Sequence, residues 1–389
     1  MSKLERMIEE LCPDGVEYKP LGDFATITRG GNFQKKDFAE KGIPCIHYGQ
    51  IYTRYGLFAD RTFTRINKEA ASKSKFASQN DIVMAVTSEN VEDVCKSVAW
   101  LGSDDIAVSG HTAIIRHNQN SKYLSYYFHS SMFFAQKVKL AHGTKVIEVT
   151  PSKLSLIPIP IPPLPIQQEI VRILDAFTSL ETELEVELEA RKKQYEYYRD
   201  DLLRFGDEVP IVSIGSICDI ITGGEAPEKC IKGAVGNEDY PYPIWANGKQ
   251  VYGFTNTYII DKDAVVISSI GANTGAVFYR RAYFTPIIRL KVIIPKIDYI
   301  NARYLFYAVS TAEIISKSGS VPNMNAADIK KIVVPIPSLE EQERIVTIID
   351  HFDALCNDLT IGLPAEIEAR RKQYEYYRDK LLAFAEISA

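Results

Sequence analysis

The 389-residue sequence predicts an α+β chain: two mixed α/β globular parts separated by two long helices, related by an internal pseudo-twofold repeat. Three observations predict it. Lys193-Gln-Tyr-Glu-Tyr-Tyr-Arg-Asp200 recurs letter for letter as Lys372-Gln-Tyr-Glu-Tyr-Tyr-Arg-Asp379, which sets a period near 180 residues. Pro160-Ile-Pro-Pro-Leu-Pro-Ile-Gln-Gln-Glu-Ile-Val171 is echoed by Pro335-Ile-Pro-Ser-Leu-Glu-Glu-Gln-Glu-Arg-Ile-Val346. Upstream, Leu21-Gly22 with Gly30-Gly31 matches Ile214-Gly215 with Gly223-Gly224, and Tyr123-Leu124-Ser125-Tyr126 matches Tyr304-Leu305-Phe306-Tyr307. Between these anchors the two globular parts differ widely.

The first globular part spans residues 1–160. Within it Asp81-Ile-Val-Met-Ala-Val86 reads as a buried strand followed by a polar turn. Ile157-Pro-Ile-Pro-Ile-Pro162 cannot sit in a central strand, because proline has no ladder donor, and reads as an extended exit. A central helical spacer follows over 161–206, with Pro165 suited to its first helical position. Leu180, Leu184 and Leu188 step every four residues, and Tyr195, Tyr198, Leu202 and Phe205 continue one face. About 40 residues at ~1.5 Å each give a rod of roughly 60 Å. A rod apolar on one stripe needs a partner helix, and the second arm supplies one.

The second globular part spans 207–337. Asp263-Ala-Val-Val-Ile-Ser268 reads as its buried strand, Gly271-Ala-Asn-Thr-Gly275 as a tight turn, and Val333-Val-Pro-Ile-Pro337 as its extended exit. In the C-terminal spacer, 338–389, Ser338 with Glu341 has capping-box spacing, and Tyr374 and Tyr377 repeat Tyr195 and Tyr198. Gly362 and Pro364 predict a kink or break. Asp14-Gly15-Val16 to Gly22 matches Asp207-Glu-Val209 to Gly215, so the C-terminal helix is expected to end beside residues 1–15, as in a ring cut at one point.

Composition bounds the function. Apolar residues make up 46% and charged residues 24%, the balance of a globular chain. No run approaches the length of a membrane span, and the first residues alternate acid and base without the apolar core of a signal peptide. The six cysteines lack CxxC spacing, which argues against a zinc site or disulfide framework and suits a reducing, cytoplasmic location. The net charge of −5 divides unevenly: +3 over 1–165, −4 over 166–206, +1 over 207–337 and −5 over 338–389. All the acidity lies in the helical arms, so the globular parts stay open to nucleic acid.

Motifs for chemistry are missing. The chain has no GxxxxGK[ST], no GxGxxG after a strand, no Asn/Asp-Pro-Pro-Tyr/Phe and no HExxH, and its histidines lack metal-ligand spacing. We therefore expect no cofactor, no metal and no catalysis by the chain itself. What remains is a pair of polar, donor-rich loops at equivalent places. Arg29, Asn32, Gln34, Lys35 and Lys36 follow the first Gly-Gly anchor strand, and Thr87, Ser88 and Asn90 follow the first buried strand. Ser268, Ser269, Asn273 and Thr274 follow the second buried strand, with Arg280, Arg281 and Arg289 adding positive charge. Base edges are read by such side chains, and phosphates by lysine, arginine and backbone N–H groups. His111, Lys145 and Asn323 complete the candidates for DNA contact. Each of these residues is also compatible with a plain surface turn.

These repeats resemble the specificity subunits of type I restriction-modification systems. The resemblance is carried by the doubled globular-plus-helix unit, the Pro-Leu-x-x-Gln-x-x-Ile-Val openings (Ser338 standing for the first Pro in the second) and the Gln-Tyr-Glu-Tyr-Tyr-Arg ends, and it spans nearly the whole chain. It implies that each globular part is a target recognition domain reading half of a split, asymmetric site in double-stranded DNA. It implies that the helices form an antiparallel coiled coil that spaces the domains and docks two adenine-methylating subunits, with Leu180, Leu184, Leu188, Tyr195, Tyr198, Tyr374 and Tyr377 as spacer and docking residues. A motor-nuclease subunit would join for cleavage. The Gly362–Pro364 interruption and the short N-terminal piece depart from the family pattern. A coiled-coil scaffold whose globular ends bind proteins is the competing reading; helices that stay alike beside loops that differ favour DNA.

Overall fold

A computed structural model describes residues 2–312, 323–358 and 360–387. The chain folds as two compact units, Met1–Leu184 with Ile367–Ala389, and Glu185–Glu366. Each unit is built on two small sheets, a proline-rich ribbon and an antiparallel pair of helix segments.

In the first unit, a five-stranded sheet runs in the order Ala25–Arg29, Thr112–His117, Ile82–Ala85, Ser97–Trp100, Phe58–Ala59. Its centre is the expected buried strand: Ile82, Val83, Met84 and Ala85 are all fully buried. A second five-stranded sheet contains Phe38–Ala39, Thr64–Ile66, Ile43–Ile46, Ile106–Val108 and Lys75–Ala77. The second unit repeats the plan with four strands in each sheet among the described residues. Cys218–Thr222, Lys291–Pro295, Ala264–Ile267 and Val277–Arg280 form one; Cys230–Ile231, Gly253–Thr255, Tyr242–Trp245 and Thr285–Pro286 form the other. The proline-rich exits are extended as expected: Pro158–Pro160 pairs with Tyr18–Pro20, and Val333–Pro335 with Ile211–Ser213, each in a two-stranded ribbon.

The linking helix is one uninterrupted element, Leu164–Leu202, of 39 residues. It begins one residue before Pro165, which therefore takes the second helical position, where its missing N–H is still harmless. The expected break in the second arm is present, between helices Leu339–Asn357 and Leu363–Leu382. Ser338 caps the first of these through the Glu341 N–H, but the reciprocal half of the capping box is not made. The Glu341 carboxylate instead accepts from Nε and Nη2 of Arg344, 2.7 Å each.

The duplicated motifs have a common mechanical role, fastening each sheet to its helix pair. Gln167 is fully buried; it accepts from the Asn120 N–H (3.0 Å) and donates to the Pro162 carbonyl (2.8 Å). Gln342, also fully buried, accepts from the Asn301 N–H (2.9 Å) and donates to the Pro337 carbonyl (2.9 Å). Tyr123 and Tyr304 donate to the carbonyls of Pro160 and Pro335, each at 2.9 Å. Tyr126 and Tyr307 donate to Asp175 and Asp350, carboxylates that also pair with Lys122 and Arg303. In the helix pairs Phe177 stacks on Tyr377 at 5.5 Å, and Tyr198 on Phe352 at 5.7 Å. Residue numbers rise along one helix as they fall along its partner, so both pairs are antiparallel. The chain terminus closes the first unit: the Val16 N–H donates to Ala385 O (2.8 Å) and Tyr18 Oη to Phe384 O (3.0 Å). Gly15 is needed there, at φ +109°, because a Cβ would lie 2.6 Å from the Ala385 carbonyl oxygen.

Replacing Gln167 with Ala strands the Asn120 N–H and the Pro162 carbonyl away from water, and should destabilise the protein by about 2–4 kcal/mol. The neighbouring exposed Gln168→Ala should change the urea midpoint little. Equal, small shifts for both variants would show that the buried glutamine does not fasten the sheet.

Candidate functional site

In each unit three loops meet at one end of the sheet that holds the buried strand: the Gly-Gly turn after its first strand, the loop after the buried strand, and the turn that opens the strand between them. In the first unit the Gly30 N–H donates to Thr112 O (2.9 Å), and Gly31 bridges Ser109. In the second the Gly223 N–H donates to Leu290 O (2.8 Å), and Gly224 bridges Ile287. A Cβ on Gly30 would approach Ser109 O to 2.2 Å, and one on Gly223 would meet Ile287 N at 2.8 Å, so both glycines are required by close backbone approach. A fourth segment closes the cluster, Thr87–Ser88 pairing with Ile147–Glu148 in one unit and Ile270 bridging Asn323 in the other.

The first cluster brings many of the sequence candidates together. Thr87 Oγ1 and His111 Nδ1 lie 3.0 Å apart, and the exposed His111 ring packs 4.9 Å from that of Tyr48. A cavity of about 300 Å³ opens here, lined by Tyr48, Tyr52, Thr87, Ser88, Asn90 and His111 among others. Arg29 donates to the Gly110 carbonyl (2.9 Å) and pairs with Glu148 (3.1 Å). Asn32 lies beside Gly110, and the exposed Lys145 precedes Val146, which lines the cavity. Gln34, Lys35 and Lys36 are exposed at a short 3₁₀ turn, Lys35–Asp37. Burial, then the charge of Lys35 and the His111 ring, hold the His47 pKa below its usual value. Asn90 is tied to Asp93 by two hydrogen bonds of 2.7 and 2.9 Å and shapes its own turn.

In the second cluster Ser269 Oγ donates to Arg289 O (2.6 Å), while the Ser269 N–H donates to Asn247 Oδ1 (2.7 Å). Asn273 donates to Asn247 O (3.2 Å), and Thr274 closes the expected tight turn onto Gly271 O (2.7 Å).

Several candidates take roles other than surface contact. Thr87, Ser268 and Ser269 are at most 5% exposed; Thr87 and Ser269 brace the loops from beneath, while Ser268 Oγ is buried without a hydrogen-bond partner among the described residues. Small hydroxyl residues at strand ends saturate turn backbones, which is why their polarity misleads a reading for exposure. Arg280 is not an open surface cation: its guanidinium stacks 3.7 Å over Trp245, and burial pulls its pKa down to about 10. Arg281 is exposed at the far end of the Ala264–Ile267/Val277–Arg280 hairpin, away from the loop cluster. On the helices, Leu180 is 37% exposed, Leu184 and Leu188 are half-buried, and Tyr198 and Tyr377 are 41% and 37% exposed. Tyr195 is half-buried and Tyr374 buried, which makes Tyr374 the most buried of these spacer residues. The sequence missed Tyr48, Tyr52 and Asn247, which carry no repeat signal.

Among the described residues no helix is long and apolar enough to cross a membrane, and no cluster of three His, Cys, Asp or Glu side chains is placed to hold a metal.

A chain that duplicates one sheet-and-helix unit, with a matched loop cluster on each copy, falls in a defined class of two-unit proteins. It belongs to the type I restriction-modification specificity-subunit family: the profile of the type I restriction modification DNA specificity domain matches residues 13–190 and again 206–369. The chain is 30% identical over 423 aligned positions to the EcoR124I/EcoR124II specificity subunit of Escherichia coli, covering 99% of this chain and 97% of that one. Its fold is similar to a chain solved in work on complex assembly and conformational transition of the type I system (TM-score 0.63, 18% identity, 95% and 97% covered). The S subunit from M. genitalium is likewise similar in fold (TM-score 0.56, 15% identity, 95% and 96% covered).

Proposed function

We propose that this chain is the DNA-sequence adaptor of a type I restriction-modification complex. Each globular part reads one half of a split, asymmetric site in double-stranded DNA. The helices space the two readers and dock two adenine methyltransferase subunits, and a motor-nuclease subunit joins for cleavage. The chain itself performs no catalysis.

The observation that carries this reading is the matched loop cluster. The Gly-Gly turns that anchor it recur in both units, Gly30-Gly31 and Gly223-Gly224, while the side chains it presents differ. Two equal partners need equal docking faces, which the repeated Phe–Tyr stacks and exposed tyrosines offer. An asymmetric sequence needs unequal readers, which the loops offer.

The charge divides the labour further. At +3 and +1 the globular segments neutralise few phosphates, so the isolated protein should bind DNA weakly and lose that binding steeply as salt rises. Addition of the methyltransferase should raise affinity and confer sequence preference in a fluorescence-anisotropy titration. Tight, salt-resistant, sequence-specific binding by the purified chain alone would overturn this division of labour.

A further inference from the structure

Superposing the two loop clusters by their hydrogen bonds pairs residues that the sequence does not align. The bridges Gly31–Ser109 and Gly224–Ile287 match Ser109 with Ile287. The bonds Gly30 N–H to Thr112 O and Gly223 N–H to Leu290 O match Thr112 with Leu290. Counting between these fixed points places His111 opposite Arg289 and Gly110 opposite Ile288. The loop after the buried strand keeps a register of its own: the Val149 N–H donates to Val86 O (3.0 Å) as the Met324 N–H does to Ser269 O (2.9 Å), which sets Val86 opposite Ser269 and Thr87 opposite Ile270. A hydroxyl from that loop holds each turn from a different position: Thr87 Oγ1 the His111 ring, Ser269 Oγ the Arg289 carbonyl.

The second-unit turn is held in an unusual shape. Ile288 and Arg289 both lie in the left-handed region, at φ +51° and +58°, a conformation that a β-branched residue rarely adopts. Four hydrogen bonds fix it: Ile288 N–H to Gly224 O (2.8 Å), Arg289 N–H to Gly223 O (3.1 Å), Asn247 Nδ2 to Ile288 O, and Ser269 Oγ to Arg289 O. The turn leaves Ile288 44% exposed and Arg289 exposed. Lys291 lies beneath, 8% exposed, donating to Thr222 Oγ1 (2.9 Å). Among the described residues no carboxylate forms an ion pair with Arg289 or Lys291. A chain that strains its backbone to hold out an arginine without a counter-charge has built a seat for acceptors from outside.

We propose that His111 and Arg289 are the matched base-reading residues of the two halves, one per target half-site, with Arg289 reading a guanine through its O6 and N7 edge. This rests on the DNA-adaptor reading above. Arginine offers two parallel donors that fit guanine, whereas the imidazole, with Nδ1 engaged by Thr87, offers one nitrogen, Nε2. Unlike side chains, on turns that occupy the same place in each sheet but differ in backbone shape, thus produce unlike half-sites.

The test uses the chain assembled with its methyltransferase and DNA duplexes randomised in one half-site at a time. Arg289→Lys keeps the charge and loses the fork; Arg289→Ala removes both. Each should abolish preference at a single base pair of the second half, a loss of roughly 5- to 150-fold in discrimination, with the first half unchanged. His111→Ala should do the same in the first half only. A base-preference profile unchanged by Arg289→Lys and Arg289→Ala overturns the proposal, as does uniformly weaker binding with the profile intact, which makes Arg289 a phosphate contact. A wild-type complex with no base preference in either half instead overturns the adaptor reading itself. Comparable melting temperatures of variants and wild type establish that the turn still folds.

Discussion

Deleting Leu184–Glu187 is expected to keep both half-site sequences and to shorten the unread gap between them. Leu180-Glu-Thr-Glu, Leu184-Glu-Val-Glu and Leu188-Glu-Ala-Arg form three tetrads inside the uninterrupted helix Leu164–Leu202. Removing one tetrad deletes ~6 Å of helix and rotates the C-terminal remainder of the rod by roughly one turn plus 40°. Leucine still succeeds leucine on the same stripe, so the seam survives at modest cost. The Glu187–Arg191 pair is lost, but both side chains are more than 40% exposed and such pairs contribute little. The Glu181–Arg371 pair, 2.8 Å, remains. At ~3.4 Å per base-pair step, the gap should contract by one or two positions. Methylation-motif sequencing of the deletion strain reads this directly. An unchanged gap with full activity would mean that the tetrads stabilise a helix and measure nothing.

Replacing residues 16–157 with the first globular part of another family member should change one half of the recognised motif and leave the other intact. Each unit has its own buried core, and the polar contacts that seat the first globular part on its exit and helix include Asn120 to Gln167, Tyr123 to Pro160 and Tyr126 to Asp175. A donor that carries the Asn and Tyr positions should therefore seat on the existing helices. The same contacts recur as Asn301 to Gln342, Tyr304 to Pro335 and Tyr307 to Asp350, so the second half keeps its own support. Motif sequencing of the chimaera should show complete replacement at the first half-site. If both halves altered together, the two readers would not be independent.

The repeat was legible because its residues do repeated mechanical work. The Gln of Pro-Leu-x-x-Gln is the buried Gln167 and its second-half counterpart Gln342, and the last Tyr of Gln-Tyr-Glu-Tyr-Tyr is the stacked Tyr198 or Tyr377. Such positions admit few alternatives, so they stay alike in both halves. The second sheet in each globular part left no comparable trace, because its strands are two to four residues long and pair across wide sequence gaps. The equivalence of His111 and Arg289 was hidden for a similar reason. The hydroxyl that holds the turn lies 24 residues upstream in one half and 20 in the other, at positions that are not equivalent, and only the hydrogen-bond register of the turn itself gives the match. Polarity misread Thr87, Ser268 and Ser269 as surface residues, since a loop that must hold a fixed shape buries its own hydroxyls. Arg280 was misread because stacking on Trp245 depends on a partner from another sheet.

The claim that one chain reads two unlike half-sites is tested most directly by mapping methylated adenines in a host that carries this protein with its methyltransferase. The expected result is a motif of two unlike halves, separated by an unread gap of fixed length, that vanishes when this chain is absent. A continuous motif, or methylation that persists unchanged without this chain, would contradict it.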